Sequence, residues 1–257
     1  MAVTVSVLGS GSRGNTTFIK TPTTRILIDA GLSRREIAKR LTAIGEDPNG
    51  IDAILITHEH DDHVGGAARL ARKFNIPVWV THGTLQAAGK ALAAVEEVRI
   101  FDCHQRFAVG DIEIEPYTVP HDAREPSQFV FSDGACRVGL LTDAGSLTAH
   151  MQAVLSGLDA LILECNHDLD MLWDSGYPQR LKERIAGKFG HLDNHTAAEL
   201  LTLIDCRRLK HLVAAHLSKQ NNTPELARAA LAQGLNCELE WVGVATQSDG
   251  FAWREVG

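Results

Sequence analysis

Six residues, His58–His63, constrain this chain more than any other feature because they contain three histidines and three acids. They directly follow Ile51–Thr57, a near-continuous apolar run that predicts a strand buried on both faces. Because alternate residues of an extended stretch share a direction, the first two histidines can bind one ion. Asp62 and His63 are the last two residues of the run. They begin the next helix and can bind a second ion. Imidazole and carboxylate suit zinc, manganese or iron, so the run predicts a metal site.

Other apolar, strand-like segments of the chain also end at or near a polar residue with metal-binding chemistry. Sites in layered α/β folds gather where strands end and loops begin. A helix is predicted for residues 62–74, directly after the histidine-rich run. The sequence therefore predicts an α/β fold with a site at its strand ends, near His58, Asp143, His167 and His216.

Length, charge and cysteine content restrict the class of protein further. No linker, low-complexity tract or clear repeat interrupts the 257 residues, so we expect a single domain, residues 1–257. The net charge of −7 means that any nucleic-acid contact must come from a local basic patch. The five cysteines are odd in number and lack a C-x-x-C spacing, which fits a reducing compartment. With neither a signal peptide nor a long apolar run, we expect a cytoplasmic protein without a membrane partner.

The segment Thr57–His63 has the form T-H-x-H-x-D-H, which resembles the signature of the metallo-β-lactamase superfamily. The resemblance implies a metal-dependent hydrolase with a four-layer αββα sandwich and a site along one edge of the two sheets. It also implies two divalent ions, for which zinc and manganese both suit the ligands. Such a pair, roughly 3.5–4 Å apart, can activate water and clamp an in-line displacement. The first ion would take His58 and His60, and the second would take His63 and Asp62, which also has a catalytic role.

Later residues complete the ligand set that the resemblance implies. His121 is the best match for the third ligand of the first ion, and its rival is His104, which comes earlier than the family's order suggests. Asp143 ends an apolar strand and matches the aspartate that bridges both ions. His216 matches the last ligand of the second ion. Asp29 matches an aspartate that orients a metal-binding histidine, or else is an ordinary turn residue.

Three further segments, residues 9–15, 164–194 and 216–227, resemble the YycJ/WalJ-like branch of bacterial metallo-hydrolases. That branch is associated with nuclease action on DNA, including 5′-to-3′ exonuclease activity, and is related to ribonuclease Z and to the cyclic phosphodiesterase PhnP. The resemblance makes His191 the residue that passes a proton to the leaving group, and the alternative is a helix-capping or core histidine. One departure is Asp193, where the branch commonly has serine, and this acid could hold His191 protonated.

Two loops are candidates for substrate contact, each with a structural alternative. Ser12 and Asn15 lie in a glycine-rich loop that could present donors to a terminal phosphate or could simply be a tight turn between strands. Asn166 and His167 come just after a predicted strand. They could contact substrate, orient a ligand, or form an ordinary polar turn.

A basic stripe is predicted on the helix that leads to the candidate proton donor. Arg180, Arg184 and Lys188 repeat every four residues, which places them on one helix face. The stripe could track a phosphate backbone, or it could be a solvated helix face.

Taken as a whole, the sequence predicts a dinuclear-metal phosphodiester hydrolase, a nuclease by resemblance, with nucleic acid as its partner. One alternative keeps the metal centre but takes a cyclic or small-molecule phosphodiester, a thioester or a lactone, because the same ligands serve acyl chemistry. A second alternative is a metal-binding regulatory module without turnover. The complete ligand set favours an enzyme over that module.

Overall fold

Two seven-stranded sheets form the centre of the fold in the computed structural model, which describes residues 3–256. The first sheet contains, in spatial order, β14 (Phe251–Glu255), β1 (Thr4–Gly9), β2 (Thr16–Lys20), β3 (Arg25–Ile28), β4 (Ala53–Leu55), β5 (Val78–Val80) and β6 (Val98–Ile100). The second contains β13 (Val242–Val244), β12 (His211–Ala215), β11 (Ala160–Glu164), β10 (Arg137–Leu141), β9 (Ser127–Ser132), β8 (Ile112–Thr118) and β7 (Phe107–Val109).

Helices pack on the outer face of each sheet. The first half of the chain contributes α1 (Arg34–Ala43), α2 (Asp61–Val64), α3 (Ala67–Phe74) and α4 (His82–Leu92). The second half contributes α5 (Ala149–Val154), α6 (Leu169–Asp174), α7 (Gln179–Ile185), α8 (Asn194–Leu203) and α9 (Pro224–Leu235). Among residues 3–256, no helix combines the length and the apolar character that spanning a bilayer requires.

Three apolar clusters separate these four layers. Alternate residues of a strand face opposite sides of its sheet, so Ile26 and Ile28 pack between the sheets whereas Leu27 packs under the first helices. Phe129 meets the inner face from the second sheet, and Leu161 packs against the helices of the second half. Each fully buried side chain of this kind contributes about 1.5–3 kcal/mol. The predicted four-layer αββα sandwich is confirmed.

Parallel strands carry the residues predicted for the site. In the first sheet β3, β4, β5 and β6 run parallel, and in the second β10, β11, β12 and β13 do so. The carboxyl ends of parallel strands meet at one edge of a sheet, so the loops that follow them come together. That edge holds the polar loops after β3, β4, β10, β11 and β12.

The helix predicted for residues 62–74 is wrong as a single element, because Gly65 and Gly66 divide it into α2 and α3. A Cβ atom on Gly66 would lie 2.0 Å from the carbonyl oxygen of Leu32, so the chain passes too close to the preceding loop for any side chain there. The strand predicted for Ile51–Thr57 is also shorter, and only Ala53–Leu55 is regular.

Candidate metal centre

Three residues of the site have a left-handed backbone conformation. Asp29, Asp143 and His216 have φ of 60°, 60° and 55°, and each lies just beyond the end of β3, β10 or β12. Non-glycine residues rarely adopt positive φ, and such strain concentrates where the surrounding structure and function demand it. The surrounding structure therefore holds the backbone in a sharp turn at each of these three positions of the site.

The first group of metal-binding atoms consists of ring nitrogens from His58, His60 and His121, which lie within 4.8 Å of one another. Nε2 of His58 lies 3.0 Å from Nδ1 of His60, and Nε2 of His121 lies 3.4 Å from that same Nδ1. The other ring nitrogen of His121 donates to the carbonyl oxygen of Gly190 at 2.9 Å. A carbonyl only accepts, so this bond fixes the proton on Nδ1 and leaves a lone pair on Nε2.

The second group consists of Asp62, His63 and His216. Oδ2 of Asp62 lies 3.4 Å from Nε2 of His63 and 3.6 Å from Nε2 of His216. Nδ1 of His63 donates to Oδ2 of Asp29 at 2.7 Å, and this bond directs Nε2 of the ring toward Asp62.

Asp143 lies between the two groups. Its Oδ2 is 3.1 Å from Nε2 of His63, and its Oδ1 is 3.0 Å from Nδ1 of His216 and 3.9 Å from Nε2 of His121. It also forms a potential metal-binding set with His58 and His63. One carboxylate thus reaches both groups.

Two polar atoms of the site are left without a hydrogen bond in the described part of the chain, as is expected where a cation binds. Oδ2 of Asp143 and Nδ1 of His216 are buried and lack a hydrogen-bond partner of proper geometry within residues 3–256, although each lies about 3 Å from another polar atom. In the same part of the chain no lysine or arginine pairs with Asp29, Asp62 or Glu164. Buried carboxylates are costly unless a positive charge compensates them. The donor set therefore implies a bound divalent metal.

The charge states of the ligands suit metal binding. Burial and the neighbouring His63 hold the pKa of His58 well below its ordinary value, and burial also lowers the pKa of His121, so both rings are neutral. Burial opposes ionisation of Asp62, but the neighbouring His216 and His63 rings outweigh burial and lower its pKa. Burial likewise opposes protonation of His216, but Asp143 and Asp62 raise its pKa to about 10. In this half of the site, protonated imidazole rings compensate the negative charge of the buried carboxylates. A divalent cation would supply the same positive charge.

Asp29 and Thr57 orient two of the histidines. Asp29 is buried and accepts hydrogen bonds from the backbone N–H of Thr57 at 2.9 Å and from its hydroxyl. The Thr57 oxygen in turn lies 3.0 Å from Nδ1 of His58. Burial raises the pKa of Asp29, and the contact with His63 works against that rise. Sequence reasoning missed Thr57, although its place at the buried end of a strand was visible.

His191 reaches the edge of the site and is held there by Glu164. Its Nδ1 lies 2.8 Å from Oε1 of Glu164 and 3.4 Å from Oδ1 of Asp143, and its side chain is 22% exposed. Oε2 of Glu164 accepts from the backbone N–H groups of Ala144 and Leu192. Sequence reasoning assigned no role to Glu164, and its only signal was an acid at the end of an apolar strand.

The departure at Asp193 has a structural explanation. Asp193 is the N-cap of α8, and its Oδ1 accepts from the backbone N–H groups of His195 and Thr196. Serine and aspartate are both preferred N-cap residues, so the exchange preserves the helix start. The carboxylate hydrogen-bonded to the His191 ring is that of Glu164, and the influence of Asp193 on this ring stays a prediction.

The candidate substrate residues from the two loops lie in different environments. Asn15 is 4% exposed and donates to Oδ2 of Asp62 at 3.2 Å, and Asn166 is buried and donates to the carbonyl oxygen of His216. Both therefore contact ligand residues. His167 is buried, and neither ring nitrogen has a hydrogen-bond partner within residues 3–256. Ser12 is exposed.

The basic stripe and the rival histidine lie outside the ligand groups. Arg184 forms an ion pair with Asp122 at 2.6 Å, and Arg180 is exposed on the same helix. The helix ends at Ile185, so the prediction that Lys188 lies on the same helix face is wrong. His104 is exposed and belongs to none of the metal-binding groups found among residues 3–256.

Comparisons with known proteins agree with this geometry. Residues 24–216 match the family model described as the beta-lactamase superfamily domain. The chain is 38% identical to exodeoxyribonuclease WalJ of Streptococcus pneumoniae serotype 2 over 90% of this chain and 87% of the relative. It is 36% identical to exodeoxyribonuclease YycJ of Bacillus anthracis over 95% of this chain and 94% of the relative.

Solved structures share the fold at lower sequence identity. The metallo-β-lactamase fold protein YhfI of Bacillus subtilis has a TM-score of 0.76 at 17% identity and covers 99% of this chain and 100% of its own. A diphosphatase of the PhnP family has a TM-score of 0.69 at 17% identity, covering 98% of this chain and 97% of its own. Human tRNase Z, short form, has a TM-score of 0.68 at 18% identity, covering 99% of each chain.

Proposed function

This chain belongs to the β-lactamase superfamily, and because it aligns with the WalJ and YycJ exodeoxyribonucleases along nearly its whole length, we propose that it is a metal-dependent exonuclease acting on DNA. The observation that carries the proposal is the extent of that match, 36–38% identity over 90–95% of the chain. The polarity that we propose is 5′ to 3′, the direction associated with the branch that the sequence resembles.

The proposal assigns two divalent ions, zinc or manganese, to the two ligand groups. His58, His60 and His121 would hold the first ion, and the second group, Asp62, His63 and His216, would hold the other. Asp143 reaches both groups and would bridge them. When bound, such ions lower the pKa of water so that hydroxide forms near neutral pH, and they neutralise charge on a transferring phosphoryl group.

Proton transfer to the leaving oxygen falls to His191. Nδ1 of the ring faces Glu164, so the proton available to substrate is the one on Nε2. The carboxylate of Glu164 stabilises the imidazolium that carries this proton, since hydrogen bonds between charged groups are about twice as strong as neutral ones. As the phosphorus–oxygen bond breaks, Nε2 donates its proton to the sugar oxygen, and the neutral ring remains hydrogen-bonded to Glu164.

An exposed aromatic residue comes two positions before this proton donor in the chain. Phe189 is 62% exposed, and its carbonyl oxygen accepts from the backbone N–H of Asp122, directly after His121. Exposed aromatic rings bind single-stranded nucleic acid by stacking on bases. Its position supports a nucleotide substrate and gives the terminal base a surface to stack on.

The test compares degradation of single- and double-stranded DNA, labelled at either the 5′ or the 3′ end, by the wild type and Asp143→Ala with manganese or zinc. We expect metal-dependent release of nucleotides by the wild type alone, beginning at the 5′ end. Metal-loaded wild type that releases nothing from any DNA would overturn the proposal. A parallel assay with a chromogenic phosphodiester and a thioester would then identify the bond that the site does hydrolyse.

A further inference from the structure

An open groove rich in positive charge lies between two helices of the first half of the chain. Arg34 at the start of α1 and Arg69, Arg72 and Lys73 of α3 line this space of about 490 Å³, which we call the α1–α3 groove. The groove lies outside the basic stripe on α7 that the sequence suggested.

The four groove cations are not neutralised by the protein. Within residues 3–256, none of their side chains takes part in an ion pair or a side-chain hydrogen bond, whereas Arg40 of the same α1 helix pairs with Glu36 at 2.8 Å. The chain as a whole carries a net charge of −7. A concentration of unpaired cations on an acidic protein creates a local positive field that attracts an anion.

The groove is built on the same two segments as the second group of metal ligands. Asp62 and His63 lie in α2, immediately before α3, and Arg34 follows Asp29 by five residues. Backbone bonds join the two segments, with the N–H of Ala30 donating to the carbonyl oxygen of His63 at 2.8 Å. The two segments that carry the groove therefore both follow residues of the site in the chain and are joined to each other there.

The spacing of its cations corresponds to a few nucleotides. Arg69 and Lys73 are four residues apart in α3, which separates their Cα atoms by about 6 Å along the helix axis. A DNA strand advances about 3.4 Å per nucleotide along the duplex axis. The cations of α3 therefore span about two phosphates of one strand.

We propose that the α1–α3 groove binds the phosphate backbone of the DNA. Guanidinium groups bind phosphate oxygens in a bidentate manner, and the three arginines supply that geometry. The inference rests on the proposed nuclease function, because it names the substrate contact that holds a long strand at the same site.

The test uses two variants with the same change in charge. The groove variant is Arg34→Gln, Arg69→Gln, Arg72→Gln and Lys73→Gln combined. The control variant, Lys90→Gln, Arg99→Gln, Arg106→Gln and Arg207→Gln combined, removes exposed cations outside the groove. Binding of the metal-loaded proteins to a circular single-stranded oligonucleotide, which offers no end to an exonuclease, is measured by fluorescence anisotropy over a range of salt concentrations.

We expect the groove variant to bind the circle more weakly than the wild type and with a salt slope smaller by up to about 3, since each phosphate contact on a single strand contributes about 0.7. On linear DNA its KM should rise about tenfold or more while kcat stays the same. Hydrolysis of bis(p-nitrophenyl) phosphate, which is too short to reach the groove, should not change. The control variant should keep the wild-type salt slope.

Wild-type salt slope and KM in the groove variant would overturn the inference, as would an equal loss in the control variant. These outcomes are separate from a failure of the proposed function. If the wild type bound DNA through the groove but hydrolysed none, the nuclease proposal would fail while the groove remained. If the wild type hydrolysed DNA and the groove variant did so equally well, the nuclease proposal would stand and the groove proposal would fail.

Discussion

The carboxylate of Glu164 lies 2.8 Å from Nδ1 of His191 and is wholly buried, although 27 residues separate the two in the chain. Its second oxygen accepts from two backbone N–H groups, so both oxygens act only as acceptors. The amide of Glu164→Gln has a single oxygen, so it can accept either from His191 or from the two backbone N–H groups, but not from both. The substitution also removes the negative charge that stabilises the imidazolium form of His191. We expect kcat on DNA to fall about 10–100-fold with unchanged metal content.

Steady-state kinetics beside elemental analysis of the purified protein would check this, with Glu113→Gln as a control because Glu113 is exposed on β8. A kcat equal to that of the wild type would show that Glu164 does not contribute to catalysis.

His191→Ala should reduce turnover without removing metal, by an amount that depends on the leaving group. General acid catalysis contributes about 10²–10⁴-fold, and a sugar oxygen needs the proton. The p-nitrophenolate ion is stable without one, so bis(p-nitrophenyl) phosphate should lose far less activity than DNA. His195→Ala, in the exposed first turn of α8, is the matched control. Equal losses on the two substrates would contradict a role in protonating the leaving group.

The sequence predicted the densest part of the site because its spacing is local. Residues 58–63 come together through one strand end and one helix start, so that little depends on the remaining fold. The family resemblance supplied Asp143 and His216, which the structure places within 3.0 Å of each other. Their ligand roles remain predictions until metal is measured. The α/β class was predictable for a similar reason, because strand alternation and apolar runs are local patterns, whereas the four-layer sandwich was implied by the family resemblance.

Contacts between distant segments could not be predicted in the same way. Asn15 looked like a phosphate-binding residue in a glycine-rich loop, yet it contacts Asp62, 47 residues away. The cations of the α1–α3 groove come from two distant parts of the sequence, residue 34 and residues 69–73. The basic stripe was easier to recognise because its residues lie within one short segment. One member of that stripe, Arg184, is neutralised by Asp122. The tertiary packing decides which cations remain unpaired, and this cannot be predicted from any single segment of the sequence.

Asp29→Asn should weaken metal binding without breaking the fold. Asparagine tolerates the φ of 60° at this position, so the backbone turn survives. The amide cannot match the carboxylate, which accepts from Thr57 and from His63 through both oxygens. Loss of such an orienting partner costs about 10–100-fold in metal affinity.

Competition with a chromogenic chelator measures the affinity directly. Asp47→Asn is the control, because Asp47 is an exposed N-cap far from any ligand group and asparagine caps equally well. Undiminished affinity in Asp29→Asn would show that Thr57 alone holds the histidines in place.

Phe189→Ala should raise the KM for DNA and leave kcat nearly unchanged, because Phe189 is exposed and belongs to none of the metal-binding groups found among residues 3–256. Stacking of one base on an aromatic ring contributes about 1–3 kcal/mol, which corresponds to a rise in KM of about 5–150-fold. A substrate with an abasic first nucleotide offers nothing to stack, so the wild type and Phe189→Ala should then differ little. Phe189→Tyr should behave as the wild type does, and Trp241→Ala, which removes another exposed aromatic ring, should have no effect. If the variant lost affinity equally for the abasic and the complete strand, the ring would be shaping the loop that carries Gly190 and His191 and would not be binding the base.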